Sequence, residues 1–563
     1  MSAEKTAFTR RRFLKFAVMG AGAVTLGACA APSAPAAPAA PAAPATEATA
    51  TPEPVAAPVT EVVITTSGWP IRPLPTEDDI KADRARAGYA EALKTWLDAN
   101  PGVTIKQIEA NIWDQQAIVT AISGGTAPTF VYAPAIGGWS LAGARAAFVQ
   151  NLVADITPFV EKYGVKGKLT PAFLAFWEPQ VNVDGKYYNY PIDAGTGNIP
   201  WIRRDLIKEA GLPEPTPDWT WTDFRTIAKA LTSEKDKRKG AALQWWMVGG
   251  MQGHHGLNLL QNIPSPSTGW HWRVDLSDPK RVPLIQNYRA MIFEDQSVFS
   301  DASADENQYT AAFAQGSAAI RFTNILGAFG SAAQESSLAA LAKRLDKPYE
   351  EVFLFLPPPK GDTDFYEGQI YVGGVSYSPD SSADVLDKGV GVVDYMFLGK
   401  GWDIQKAGQW EATKDLQAVF NYPLPIDGKY TYEGVPGSFA DAWGKKTLEA
   451  IEYIAGLSAA PDPGLYFPAE KNPAPDNKAI NDAWSTFTYV ADNVDIAAEL
   501  KKAEQTWNKQ AESFTSSVSA EDFTAAALRY YADLDTYFKE KMPIYYESMF
   551  KPWYDAKVKP ALG

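Results

Sequence analysis

Eighteen tryptophans, 25 tyrosines and 26 phenylalanines in a chain of 563 residues are the side chains whose types first suggest chemistry. Two groups stand out by spacing: Gln244-Trp245-Trp246, close to turns at Gly249-Gly250 and Gly253, and Gly269-Trp270-His271-Trp272. An aromatic face suits the apolar C–H face of a pyranose, and neighbouring amides and carboxylates suit its hydroxyl rim. Trp245, Trp246 and Trp270 are therefore candidate ligand contacts, although one ring of each pair fits a core equally well. Large cores and ordinary hydrophobic surface account for most of the other rings.

Groups able to do covalent or metal chemistry are few. The three histidines are His254, His255 and His271. His254 and His255 are adjacent, and adjacent residues rarely face one ion without further ligands, so no metal and no cofactor are expected. Cys29 is the single cysteine, which leaves the chain no intramolecular disulfide, no second thiolate and no Cys-built zinc site. No GxSxG, HExxH, phosphate-binding loop or GxGxxG stands in its required context. With 66 acidic residues some carboxylate pair always has the spacing for glycoside hydrolysis. A secreted carbohydrate-active enzyme therefore stays open beside a binding protein.

Formal charge is −14. Before Cys29, Lys5, Arg10, Arg11, Arg12 and Lys15 stand against Glu4, a net +4, so removal of that segment would leave about −18. Such an acidic surface repels phosphate backbones, and nucleic acid is not an expected partner. Thr9 to Lys15 (TRRRFLK) resembles a twin-arginine export signal; the apolar run from Phe16 to Ala28 is short for a bilayer span. Leu26-Gly27-Ala28-Cys29 resembles a lipobox, which makes Cys29 the expected site of lipidation after removal of residues 1–28. An uncleaved anchor is the alternative. Residues 29–60 are rich in Ala and Pro, too poor in apolar bulk to form a core, and read as a semi-rigid tether from the membrane.

From Glu61 onward the pattern alternates. Glu61–Thr66 is a strand leading to a loop at Ser67-Gly68-Trp69-Pro70. A helix follows with Tyr89, Leu93, Trp96 and Leu97 on one face, then a strand from Val103 to Ile108. Next come a helix at Ala117–Ile122, a strand at Thr129–Tyr132 and a helix at Trp139–Phe148. This order implies a parallel sheet covered by helices. Ligands of such sheets sit beyond the C-terminal strand ends, where Trp69 and Tyr132 fall; core packing serves these two rings equally well.

Further on, Asp184-Gly185 marks a hairpin turn, Tyr187–Tyr190 continues as strand, Ile199–Ile202 is another strand, and Leu206–Ala210 is helical up to Gly211. Thr222 reads as an N-cap, with Phe224, Ile227, Ala228 and Leu231 on one face of the helix it opens. Phe523, Ala527, Tyr530, Leu534 and Phe538 repeat at helical spacing near the end of the chain.

The stretch Asp184–Thr232 resembles family 1 extracellular solute-binding proteins of ABC importers, the maltose-binding proteins among them. The pieces stand in order as Gly185-Lys186-Tyr187, Tyr190-Pro191, Arg204-Asp205-Leu206, Ala210-Gly211-Leu212, Thr220-Trp221 and Lys229-Ala230-Leu231-Thr232. NPGVTIKQI and GGTAPTFVYA, Phe313 to Ile320, LPPPKG at Leu356–Gly361, Gly373-Gly374-Val375 and Ser382–Phe397 continue the likeness, which covers roughly Glu61–Gln405 with gaps.

The resemblance implies an α/β fold of two lobes, of the type II periplasmic-binding-protein kind, with the ligand cleft between them. Lobe 1 would be residues 61–192 plus 370–425, and lobe 2 residues 193–369 plus 426–563. It implies a non-enzymatic, monomeric subunit that binds a sugar or oligosaccharide and delivers it to a membrane permease. A peptide or polyol ligand is the alternative within the same role. Tyr132 looks like the counterpart of a sugar-stacking Trp, and Asp193, at the first crossover, resembles an acid that accepts sugar hydroxyls; a hinge hydrogen bond is its other reading. Asn324 stands where the maltose-binding relative has another ring and is placed to offer an amide instead. Tyr371, with Gly373-Gly374, falls at the return crossover, as ligand contact or tight hinge.

Overall fold

The computed structural model describes residues 61–84, 86–137, 141–196, 199–243, 276–301, 306–323, 338–347, 349–361, 370–413, 426–429, 477–512 and 519–562, with a few isolated positions between them. Cys29, the tether and all three histidines lie outside the described residues.

The first sheet is built as its apolar pattern requires. Strand β1 (Val62–Thr66) is followed by helix α1 (Arg86–Ala99), which buries Leu93 and Trp96, and by β2 (Val103–Gln107), parallel to β1 in the register Val62↔Val103. Helix α2 (Gln115–Ser123) starts at Asp114, whose carboxylate accepts from Ala117 N at 2.7 Å. Strand β3 is short (Phe130–Val131), and the amide of Thr129 beside it donates to Thr65 O of β1 at 3.0 Å. Helix α3 (Leu141–Val149) follows.

A small hairpin, β4 (Asn182–Val183) and β5 (Lys186–Tyr187), turns at Asp184 and Gly185 with φ of 54° and 80°, the two-residue turn that Asp-Gly favours. The strand expected to continue to Tyr190 ends at Tyr187, and β6 (Tyr190–Thr196) starts afresh.

The second sheet starts with β7 (Ile199–Arg203), two residues beyond the end of β6. Helix α4 (Arg204–Glu209) and helix α5 (Trp221–Leu231) come next; α5 buries Phe224, Ile227, Ala228 and Leu231 as the 3.6-residue pattern predicts. Its cap is a correction: Thr220, not Thr222, is the N-cap. Thr220 Oγ1 accepts from Asp223 N at 3.2 Å while the Asp223 carboxylate accepts from Thr220 N at 2.8 Å. The reciprocal pair satisfies two orphan amides, which a cap at Thr222 could not do with Asp223 adjacent. Thr220→Ala is expected to cost about 1 kcal/mol of stability, measurable as a lower denaturation midpoint.

Strands β8 (Lys239–Ala242), β9 (Val298–Phe299), β10 (Ala318–Thr323) and β11 (Phe353–Phe355) complete the sheet in the order β11-β7-β10-β8-β9. Helix α6 (Arg281–Phe293) runs between β8 and β9, and helix α7 (Glu306–Gln315) leads into β10 as expected from the run Phe313–Ile320. Asp295, with its side chain 4% exposed, accepts from Arg225 Nε at 2.6 Å and Lys229 Nζ at 2.9 Å, tying α5 to the end of α6. The hydrogen bond from Arg225, then that from Lys229 and both positive charges, hold the Asp295 carboxyl below the ordinary carboxylate range despite burial. A depressed folded-state pKa contributes stability above the unfolded value and loses it as pH falls through the folded one. Asp295→Asn should therefore destabilise the protein at neutral pH, with the difference from wild type shrinking as acid takes the pH below the ordinary carboxylate range.

The chain returns through β12 (Ile370–Tyr377), antiparallel to β6 over Tyr190–Thr196 and, at its far end, to β3 (Tyr377↔Phe130). β3, β12 and β6 thus form an antiparallel sheet of their own beside the parallel β1–β2 pair, a departure from the single parallel sheet expected from the first three strands. Helix α8 (Ala383–Phe397), capped by Ser382, and α9 (Lys400–Thr413) close this side.

Two large cores are distinct. Ile64, Leu93, Phe130, Tyr190, Val375 and Val392 belong to one; Ile202, Phe224, Ile285, Ile320 and Leu354 belong to the other. Helices α10 (Lys478–Tyr489) and α11 (Ile496–Ala511) add Trp484, Phe487 and Leu500 to the second core. Helix α12 (Ala520–Lys541) buries Phe523, Ala527, Tyr530, Leu534 and Phe538 in a separate aromatic cluster with Tyr545 and Phe550. No helix among the described residues is long and apolar enough to cross a membrane.

Candidate functional site

The loop after β1 is shaped by Thr66, which is fully buried. Its hydroxyl donates to Ile71 O at 2.6 Å and accepts from Gly68 N at 2.9 Å, folding residues 67–71 back over the end of the strand. The Trp69-Pro70 peptide in that loop is cis. Arg72 Nε donates to Gly68 O at 3.0 Å, and Tyr89 of α1 bonds the Arg72 backbone at 2.7 Å. Trp69 is thus presented from a loop secured at both ends.

Two more loops deliver rings to the same place. After β2, Asn111 accepts from Trp113 N at 3.1 Å, immediately before the Asp114 cap of α2. After β3, Tyr132 is the cap residue of a short helix, Ala133–Ile136, and Gln115 Nε2 of α2 donates to Ile136 O at 3.0 Å. The three rings touch: Trp69–Trp113 centroids lie 5.3 Å apart at 62°, Trp69–Tyr132 5.5 Å at 87° and Trp113–Tyr132 4.8 Å at 51°. Edge-to-face contacts of this kind contribute about 0.5–1.5 kcal/mol each beyond area burial. Trp69 and Tyr132 rest on the core formed by Ile112, Ile118, Val131 and Ile136, whereas Trp113 is 44% exposed. The result is a shelf in which Trp113 is the most exposed of the three rings.

Asp193 adds the polar part. It lies in β6 opposite Gly373 of β12, where the register slips between Gly373 and Gly374. The residue keeps partial exposure, yet its Oδ1 is shut off from solvent and has no hydrogen-bond partner. Burial alone pushes its carboxyl up to about 7. The Tyr132 hydroxyl is pushed up to about 12, first by burial and then by the negative charge of Asp193, which places the two groups in one electrostatic environment. A buried carboxylate oxygen without a donor costs free energy until a donor arrives. Rings for an apolar face and an unmet acceptor beside them can hold a molecule that has both apolar C–H surface and hydroxyl or amine donors.

Of the residues singled out from sequence, the structure brings Trp69 and Tyr132 into contact and sets Asp193 near Tyr132. Tyr371 is placed by its backbone opposite Gly195 in the β12–β6 pair, and its side chain lies outside the described residues. Trp245, Trp246, Trp270 and Asn324 lie outside them as well. Trp113 was missed. Its signal was nonetheless present: like Trp69 and Tyr132 it follows the C-terminal end of a strand, directly before a capping Asp. Among the described residues no group of three or more His, Cys, Asp or Glu side chains is placed to hold a metal.

Comparison with solved structures shows the two-lobe fold of maltose-binding-protein-like proteins. A solute-binding protein of an ABC transporter from Listeria monocytogenes, in complex with cycloalternan, is 18% identical with a TM-score of 0.53, covering 80% of this chain and 99% of that one. Maltose-bound MalE3 of T. maritima and a solute-binding protein from Thermotoga lettingae bound with α-D-tagatose are each 13% identical, with the same TM-score and coverage. No match is found among curated proteins. The family model for bacterial extracellular solute-binding proteins matches residues 81–398, more than half of the chain. The chain therefore belongs to the bacterial extracellular solute-binding proteins, a family of binding proteins that work outside the cytoplasm.

Proposed function

We propose that this chain is the solute-binding subunit of an ABC importer and that it captures a neutral, hydroxyl-rich solute, a sugar, oligosaccharide or polyol, without transforming it. The observation that carries this reading is the Trp69–Trp113–Tyr132 shelf beside the unpartnered carboxylate oxygen of Asp193. With ring centroids 4.8–5.5 Å apart the rings fill one another's space. They form a stacking surface, not a cage around an ammonium group. The complexes of fold relatives with cycloalternan, α-D-tagatose and maltose support the same ligand class.

In this reading the shelf belongs to a lobe of residues 61–192 and 370–425. Residues 193–369 and 426–563 would be the second lobe, and Trp245, Trp246, Trp270, Asn324 and Tyr371 stay proposed as further ligand contacts. Closure is favoured only by as much as the solute prefers the closed state, so contacts from both lobes supply the coupling. A diacylated Cys29 and the Ala/Pro tether hold the monomer at the outer face of the cytoplasmic membrane, within reach of its permease.

The test is a thermal-shift screen of residues 61–563 against mono- and oligosaccharides, polyols, peptides and amino acids. A rise in melting temperature with sugars or polyols, and titration without product, is the expected result. A rise with peptides alone would remove the ligand class, and consumption of a glycan would replace binding by catalysis.

A further inference from the structure

We propose, building on the binding reading above, that solute capture at this shelf is coupled to loss of a proton from the Asp193 carboxyl. The geometry is that of an acid without a counterpart. Oδ1 is excluded from solvent and accepts no hydrogen bond. Across the β6–β12 pair the residue facing Asp193 is Gly373, with Val372 and Gly374 on either side, none of which carries charge. From the loop after β3 the titratable neighbour is Tyr132, a neutral phenol that is itself harder to ionise than usual and offers no positive charge. Among the described residues no cation contributes to the state of the Asp193 carboxyl, which desolvation displaces upward to about 7. In the solute-free protein at neutral pH the acid is therefore about half protonated.

A hydroxyl group that donates to Oδ1 supplies what the fold leaves out. Hydrogen bonds to an ionised acceptor are roughly twice as strong as neutral ones, so the bound solute favours the carboxylate over the acid. The proton leaves to solvent, and no other bond is made or broken. The sign of the linkage follows. Above about pH 8 the carboxyl is already ionised and affinity is flat. As pH falls below about 7, binding must first remove the proton, and affinity drops by up to tenfold per pH unit until the lower pKa of the complex is reached. Capture would thus be strong in neutral or alkaline surroundings and weak in acidic ones.

The first arm of the test needs no solute. Infrared spectra of the folded chain from residue 61, recorded between pH 5 and 9, should show one protonated carboxyl band that disappears with a midpoint near pH 7 and is missing from Asp193→Asn. A protein whose carboxyl bands are all lost by pH 5 overturns the proposal, and this arm stands on the wild type even where the variant fails to fold. The second arm titrates maltose, D-tagatose and D-mannitol calorimetrically at pH 5.5, 7.0 and 8.5, in buffers of low and high ionisation enthalpy. Expected are a Kd at least tenfold weaker at pH 5.5 than at 8.5, about half a proton released at pH 7, and weak, pH-independent binding by Asp193→Asn. A pH-independent Kd in wild type, with Asp193→Asn weakened throughout, overturns the coupling and leaves the binding site standing. Equal affinity of wild type and Asp193→Asn at every pH, or binding of none of the three solutes, overturns the site reading together with it.

Discussion

Replacing Trp113 with alanine is expected to weaken solute binding by about 30-fold or more, equivalent to ~2 kcal/mol, the usual scale for removing an aromatic anchor from a binding surface. The ring is 44% exposed and touches Trp69 at 5.3 Å and Tyr132 at 4.8 Å. It is therefore held by two ring contacts while part of its surface stays exposed. Loss of those two ring contacts should lower stability by only about 1–2 kcal/mol, because the side chain is half solvated already. Binding and folding thus separate: affinity falls steeply while the melting temperature moves by a few degrees. Trp113→Phe keeps a ring face at the position and should recover most of the affinity. Calorimetric titration beside a melting curve reads both quantities. Parallel loss of binding and of melting temperature would make Trp113 a structural residue only.

Gly240→Ala is expected to have the largest effect on the fold. A Cβ at Gly240 would stand 1.7 Å from Ala228 O and 2.3 Å from its carbonyl carbon. Those are backbone atoms of α5, whose Ala228 is fully buried against β8, so no side-chain rotation relieves the clash. The approach is further fixed by Thr232, whose hydroxyl donates to Ala228 O at 2.9 Å and accepts from Gly240 N at 3.1 Å. Moving helix from strand would break this bridge and open the core around Ile227, Leu231 and Ala241. A cost of about 3 kcal/mol or more follows for overpacking that only a backbone shift can absorb. At about 2–4 °C per kcal/mol for a unit of 150–250 residues, the melting temperature should fall by roughly 6–12 °C. A shift below about 2 °C would show that α5 and β8 can slide apart freely.

Much of this architecture was legible because periodicity and caps act locally. The apolar face of Phe224, Ile227, Ala228 and Leu231 names α5 by itself, and the Asp184-Gly185 turn announces its hairpin. The Thr220–Asp223 capping box was legible too, since an acid three residues after Thr220 is its signature; Thr222 drew the cap away because it stands directly before the same acid. The antiparallel entry of β12 beside β3 and β6 could not be read from either strand. Pairing between segments some 180 to 250 residues apart depends on the whole chain, not on local pattern.

The shelf shows the same division. Trp69 and Tyr132 were found because they follow strand ends, and that rule applied to β2 would have given Trp113 as well. The isolation of the Asp193 carboxyl could not have been seen from sequence. It arises from facing Gly373 across a ladder whose register slips one residue further on, a property of two strands and not of either. An acid at this position was legible; an acid without a donor was not.

The most direct measurement of the central claim is calorimetric titration, into wild type and into Asp193→Ala, of the sugar or polyol that gives the largest thermal shift. Single-site binding by wild type, at least tenfold weaker binding by Asp193→Ala with an unchanged melting transition, and solute recovered intact is the predicted result. Equal affinity in the two proteins, or conversion of the solute in the cell, would contradict the account.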